Sequence, residues 1–144
     1  MAVTITLYNH TKARFASGAN AEGDTYRVAL YSAATFDAAD TTLAGITGTQ
    51  LSTGNGYTAG GATVPNVSVA TVDTNAARFT GDPVVWTADG GPIAASFAVL
   101  YNDTDTDDPP VAFIDFDGEE SAGDGTDFRV NWNADGIVTF TAPA

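Results

Sequence analysis

One histidine and no cysteine stand among the 144 residues, so nucleophilic and transition-metal chemistry begin from a short inventory. Any Ser-His-Asp relay or imidazole–metal site would have to use His10. That residue lies in Tyr8-Asn9-His10-Thr11-Lys12, and no serine occupies a Gly-x-Ser-x-Gly elbow. A chain without thiols has no thiolate nucleophile, no disulfide and no Cys-ligated zinc. Gly54-Asn55-Gly56-Tyr57-Thr58-Ala59 matches the relaxed dinucleotide pattern G-x-G-x-x-A. The pattern works only between a hydrophobic strand and a helix whose N-terminus receives the pyrophosphate. The flanks here, Gly48 to Thr53 and Gly60-Gly61-Ala62, supply neither, so the glycines predict turns with positive φ.

The acidic residues could serve a hard cation, which wants several carboxylate oxygens. Asp103-Thr104-Asp105-Thr106-Asp107-Asp108 opens like a calcium loop, but Asp108 stands where that loop needs glycine and Ile114 where it needs a bidentate glutamate. The run reads as a hairpin tip. A second group, Asp115, Asp117, Glu119, Glu120, Asp124 and Asp127, surrounds a turn between two predicted strands, and strand geometry puts Asp115 and Asp117 on one face. Asp115, Asp117, Glu119 and Asp124 could together hold Ca²⁺, or a pair of them could act as acid and base on a glycoside. The alternative is an acidic loop on a solvated rim. No other cofactor and no enzymatic site are expected.

The elements that must position these groups are strands. A net charge of -13 with a single lysine, Lys12, argues against nucleic acid and anionic membranes as partners. Hydrophobic residues at 44% and fifteen aromatic rings (Phe 8, Tyr 5, Trp 2) describe a chain that folds, and the length suits one domain over 1–144. The opening Met1 to Leu7 carries no basic region, and no apolar run approaches about 18 residues, so neither an export signal nor a membrane span is expected. Short β-branched and aromatic runs between Gly and Asp punctuation predict strands at Val3–Tyr8, Thr25–Ser32, Val67–Asp73, Ala76–Thr80, Pro83–Thr87, Ile93–Asn102, Val111–Asp117, Thr126–Trp132 and Gly136–Thr141.

Alternation puts Tyr26, Val28 and Leu30 on one face and Thr25, Arg27 and Tyr31 on a wet one. It also puts Phe128, Val130 and Trp132 inside, with a hairpin through Asn133-Ala134-Asp135-Gly136 to the last strand. Ile93 to Asn102, apolar on both faces, should be a central or an interface strand. Helix is expected only at His10–Ala16 and Ala33–Ala44. The segment 1–21 reads as irregular, and 45–65 as a Gly/Thr-rich excursion anchored by Leu51 and Tyr57. The fold class is therefore all-β: an antiparallel sandwich, jelly-roll-like, with a core of Val28, Leu30, Phe97, Val99, Phe113, Phe128, Val130, Trp132, Ile137 and Phe140.

Four blocks stand out in order: Asp24-Thr25-Tyr26-Arg27-Val28-Ala29-Leu30-Tyr31; Gly56-Tyr57-Thr58-Ala59-Gly60-Gly61-Ala62-Thr63-Val64-Pro65-Asn66; Ser96-Phe97-Ala98-Val99-Leu100-Tyr101-Asn102; and Asp127 to Ile137. Together they resemble a family of small β-rich virion proteins of tailed bacteriophages. The resemblance implies a capsid decoration or cement protein, made in the bacterial cytoplasm, carried on the virion surface, bound to the major capsid protein and self-associating there. It implies no catalytic residues. On this expectation the irregular segments make the contacts, through Phe15, Leu51, Tyr57 and Val64, and deleting Gly48 to Pro65 should leave a folded domain. The alternative is a carbohydrate-binding module of a tail or host-adhesion apparatus, with Trp86, Tyr57 or Tyr101 as stacking platform.

Overall fold

A computed structural model describes residues 3–141. Its elements are β1 (Thr4–Leu7), α1 (Thr11–Ser17), β2 (Tyr26–Thr35), β3 (Thr47–Gln50), β4 (Ala62–Thr63), β5 (Ser68–Asp73), β6 (Ala76–Thr80), β7 (Val84–Thr87), β8 (Ile93–Asn102), β9 (Pro110–Ala122), β10 (Asp127–Val130) and β11 (Val138–Thr141). One sheet runs β1-β9-β8-β2-β3, with β4 also on β2; the others are β10-β7 and β11-β6-β5. All pairings are antiparallel. The inner face of the large sheet, with Tyr26, Val28, Leu30, Leu100, Ile114 and Phe116, shares one buried cluster with Phe79, Trp86, Phe128 and Val138 of the two small sheets. That is an all-β, sandwich-like fold. The order of these three sheets does not by itself establish the double Greek key of a jelly roll.

The second face of the large sheet is not wet, contrary to the alternation. Ala29, Tyr31, Val99, Tyr101 and Phe113 form a second buried cluster with Tyr8 and Ile46. The cover is the connection from β2 to β3, where Phe36 lies 5.1 Å from the Tyr8 ring and 5.5 Å from Phe113. This is the stretch expected as a helix over Ala33–Ala44. Instead Ala33 to Thr35 continue β2, and the rest crosses the sheet as a loop ending in a 3-10 turn at Leu43–Gly45. Burying Phe36, Leu43 and Ile46 against the sheet outweighs a weak helical preference in a run holding three threonines and two aspartates. With both faces covered, β8 sits centrally between β9 and β2, as its apolar composition requires.

The expected C-terminal hairpin does not form. The turn itself is present: Gly136 N–H donates to Asn133 O at 2.9 Å, with Gly136 at φ 104. But β10 pairs with β7, Phe128 opposite Trp86, and β11 pairs with β6, Val138 opposite Phe79. The connection from Asn131 to Ile137 is too long for a two-residue hairpin loop. Its start is pinned elsewhere, because the Trp132 indole N–H donates to Asp82 O at 3.0 Å.

Both segments expected to be irregular contain regular elements between their loops. Residues 4–17 form β1 and α1, while Met1 and Ala2 at the head of the 1–21 segment lie outside the described residues. Thr11 is buried and donates its hydroxyl to Val111 O at 2.6 Å, and Phe15 packs against Phe79 at 4.8 Å and Phe140 at 5.5 Å. Helix α1 ends on Gly18 at φ 85, whose N–H bonds Phe15 O, as a left-handed cap does.

The 45–65 excursion supplies β3 and β4 to the edge of β2 and inserts Tyr57 into the core at 2% exposure. Between those two short strands this edge of β2 has no strand beside it, and Leu51 N–H bonds Leu30 O at 2.9 Å. The Leu30 N–H there donates to the Tyr57 hydroxyl at 3.0 Å, and that hydroxyl donates to Gln50 Oε1 at 3.1 Å. Deleting Gly48 to Pro65 would therefore remove two strands and a core ring, so the expectation of a dispensable segment is overturned. The milder change Tyr57→Phe keeps the ring but strands the buried Leu30 N–H. It is expected to cost about 1–3 kcal/mol, read as a lower urea midpoint at unchanged slope.

Candidate functional site

The structure assigns internal duties to most residues that could do chemistry. His10 Nε2 donates to Pro110 O at 2.8 Å, fastening the start of α1 to β9. In the Asp103 to Asp108 tip, Arg14 reaches Asp105 Oδ2 at 2.6 Å, and this bond holds the Asp105 carboxyl below its usual range. Asn102, fully buried at the foot of that hairpin, donates to Asn20 Oδ1 at 3.0 Å and Asp24 Oδ2 at 2.9 Å, and its own oxygen accepts from Thr104 N–H. The tip is a braced hairpin turn.

The possible calcium site at Asp115, Asp117, Glu119 and Asp124 is not assembled in the structure. Among the described residues no three His, Asp or Glu side chains converge closely enough to hold a metal ion. The cause is a wide bulge in β9. Ala95 and Phe97 of β8 pair with Glu120 and Asp115, so five residue steps on β9 oppose two on β8. The bulge turns Phe116 into the core and sets Asp117 at φ 57, with its N–H on Asp115 Oδ1 at 2.8 Å. Asp124 is engaged on the far side of the turn, accepting from Gly90 N–H at 3.0 Å. Strand alternation assumed an unbroken ladder that the bulge removes.

The aromatic residues suggested as a sugar platform are core. Trp86 is 5% exposed between Tyr57 at 5.9 Å and Phe128 at 6.2 Å, and Tyr101 is 3% exposed with its hydroxyl donated to Gly60 O. Of the four residues assigned to an interface, Tyr57 and Val64 are likewise buried, Phe15 is half-buried on the inward side of α1, and Leu51 is half-buried on the wall of a shallow cleft with Ile93. They form no common patch: Phe15, Tyr57 and Val64 all belong inward, to the main core.

What the sequence reading missed is a groove of about 710 Å³ along one open side of the sandwich. One wall is Val3 and β1, with Val3, Ile5 and Leu7 half-buried and Thr4 and Thr6 exposed on the other face. The other is the β10–β11 connection, with Trp132, Ile137, Thr139 and a polar rim of Asn131, Asn133 and Asp135. Asp135 is the one charged residue in the lining. It exists because β1 and β11 are both end strands of their layers and do not pair with each other. The signal available in the sequence was Val3-Thr4-Ile5-Thr6-Leu7, an alternating strand with no charge in a chain of 23 charged residues. No protein-family model, curated protein or solved structure matches this chain. The groove therefore has to be interpreted from its own chemistry. Among the described residues no helix is long and apolar enough to cross a membrane.

Proposed function

We propose that the chain is a non-catalytic structural protein of a tailed-bacteriophage particle, a decoration or cement protein that binds the outer surface of the head through the major capsid protein. The reading starts from the resemblance of the four sequence blocks. The observation that carries it further is the groove beside β1. It is open, half apolar and half polar, and holds one charged residue on a body carrying -13, which suits contact with protein rather than with phosphate. The carbohydrate-binding alternative loses its support, since Trp86, Tyr57 and Tyr101 are inside the fold. A tail location remains open to the same test.

Protein composition of purified particles decides the matter. A decoration protein is present at on the order of hundreds of copies per head, because every capsomer offers the same surface, whereas a tail module is limited to a few dozen at most. Absence from the particle overturns the reading, and a few dozen copies or fewer moves it to the tail. The acidic body implies a basic patch on the shell, so occupancy measured by sedimentation should fall as NaCl is raised. Occupancy that stays full in concentrated salt would place the attachment in apolar contacts alone.

A further inference from the structure

We infer that the Asp108–Pro109 peptide bond is a self-cleavage site, cut in mild acid by the chain's own carboxyl groups to give the fragments 1–108 and 109–144.

The chain holds two Asp–Pro bonds, Asp82–Pro83 and Asp108–Pro109. In such a bond the aspartate carboxylate is placed to attack its own carbonyl carbon, and the tertiary amide nitrogen of proline takes up a proton and leaves more readily than an ordinary peptide nitrogen. The fold treats the two bonds differently. Asp82 lies outside the left-handed region, and its Oδ2 accepts from Asn66 Nδ2 at 2.6 Å, which weakens it as a nucleophile. Its carbonyl is polarised, since Trp132 Nε1–H donates to it at 3.0 Å, but the attacking group is engaged elsewhere.

Asp108 sits at φ 48. A residue before proline is pushed towards extended backbone and a side-chain-bearing residue seldom takes positive φ, so this one is strained on both counts. Its carboxyl meets that of Asp103 in a hydrogen bond, which two carboxyl groups form only by sharing a proton. The pair thus supplies a carboxylate and a carboxylic acid side by side. Burial, then Asp103 and Asp107, push the Asp108 carboxyl above its usual range, and Arg27 opposes them. Tyr101, also beside the pair, stays neutral in acid, its hydroxyl being pushed up to about 12. The Leu43 N–H donates to Asp108 O at 3.1 Å and less closely to Asp107 O at 3.4 Å, so a donor already stands at the oxygen where charge develops.

In the cut, an Asp108 carboxylate oxygen bonds to the Asp108 carbonyl carbon and the bond to Pro109 N breaks. The proton of the Asp103 carboxyl moves to that nitrogen, which leaves as a secondary amine. The cyclic anhydride that remains is opened by one water to the side-chain carboxyl and a new C-terminal carboxyl; nothing is oxidised or reduced. Freed from Pro109, Asp108 leaves φ 48 and carries the acyl carbon away from the amine, so water opens the anhydride before it reseals. The ladder from Ile93 to Tyr101 holds β8 to β9 across the nick, and Asn102 N–H keeps Pro109 O at 3.0 Å.

Mass spectrometry of the intact protein held for days at about pH 5 tests this, circular dichroism at the same pH verifying the fold. Cleavage after Asp108 is expected at least about tenfold faster than after Asp82, and the preference should vanish in urea at that pH, where neither bond keeps its surroundings. Asp103→Asn should slow the cut after Asp108 about tenfold or more and leave the one after Asp82 unchanged. A variant that fails to fold leaves the comparison with urea to decide. An intact chain, equal cutting of the two bonds in the folded protein, or cutting after Asp108 no faster folded than in urea overturns the proposal. So does a folded Asp103→Asn protein that is cut at the parent's rate.

Discussion

Gly61→Ala is expected to destroy the fold, costing more than about 4–5 kcal/mol, the range reached only by a severe steric or burial defect. Gly61 sits at φ +84 where the chain enters β4, and a Cβ there would lie 1.7 Å from Val28 O and 2.4 Å from its carbonyl carbon. Those atoms are backbone in the centre of β2, so no rotamer change relieves the overlap. The chain would have to lift β4 off the sheet, which also breaks the 2.9 Å bond from Arg27 to Gly61 O and exposes Val64. Gly23→Ala is the matching control, for its Cβ would meet nothing within 4 Å and its φ is ordinary. There alanine should be neutral or stabilise by up to about 1 kcal/mol. Thermal melts by circular dichroism separate the two. A Gly61→Ala protein melting within a few degrees of the parent would mean that β4 contributes almost nothing.

The second large effect lies at high pH. All five tyrosines have hydroxyls pushed above the ordinary value of 10.0, chiefly because burial disfavours the phenolate. For Tyr57 and Tyr101 the value reaches about 12, the hydrogen bond from Leu30 N–H holding Tyr57 back slightly and Arg27 doing the same for Tyr101. Below pH 10 the tyrosines are neutral in folded and unfolded chains alike, and their contribution to stability is complete. Above it only the unfolded chain releases these protons, so stability falls with rising pH until the folded values are passed. Tyrosinate absorbance is therefore expected to rise in one cooperative step, above pH 10, together with loss of the β signal. A gradual titration centred on pH 10 with the fold intact would show that the rings are open to water.

The strands that could be recognised in the sequence are those whose partners agree with local pattern. β2 and β8 alternate or run apolar because each is fixed by burial on the faces it shows. What could not be recognised depends on distant chain. Nothing within Thr47 to Gln50 or Ala62-Thr63 marks a strand; those residues are extended because β2 has an open edge and Tyr57 fills the gap between them. Phe36, Leu43 and Ile46 gave no period of their own, since they answer to the outer face of a sheet made by other residues. The turn at Asn133 to Gly136 was legible, but which strands it joins was decided by Trp132 bonding Asp82, fifty residues upstream. For the candidate site, Val3 to Leu7 was readable as a strand. That it ends a layer follows only from topology.

The fastening of β1 and α1 to β9 sets when the large sheet can close. β1 finds its ladder on Ala112 to Asp115, and His10 and Thr11 bond carbonyls a hundred positions later in the chain. At a ribosome adding about 5–20 residues per second, β1 waits roughly 5–20 s for the strand it needs. Throughout that interval an uncharged, alternating segment with both edges unsatisfied hangs from every nascent chain. Neighbouring ribosomes on one message hold such segments close together. The β1–β9 ladder is therefore a contact that synthesis can complete only late, after the rest of the large sheet has been made.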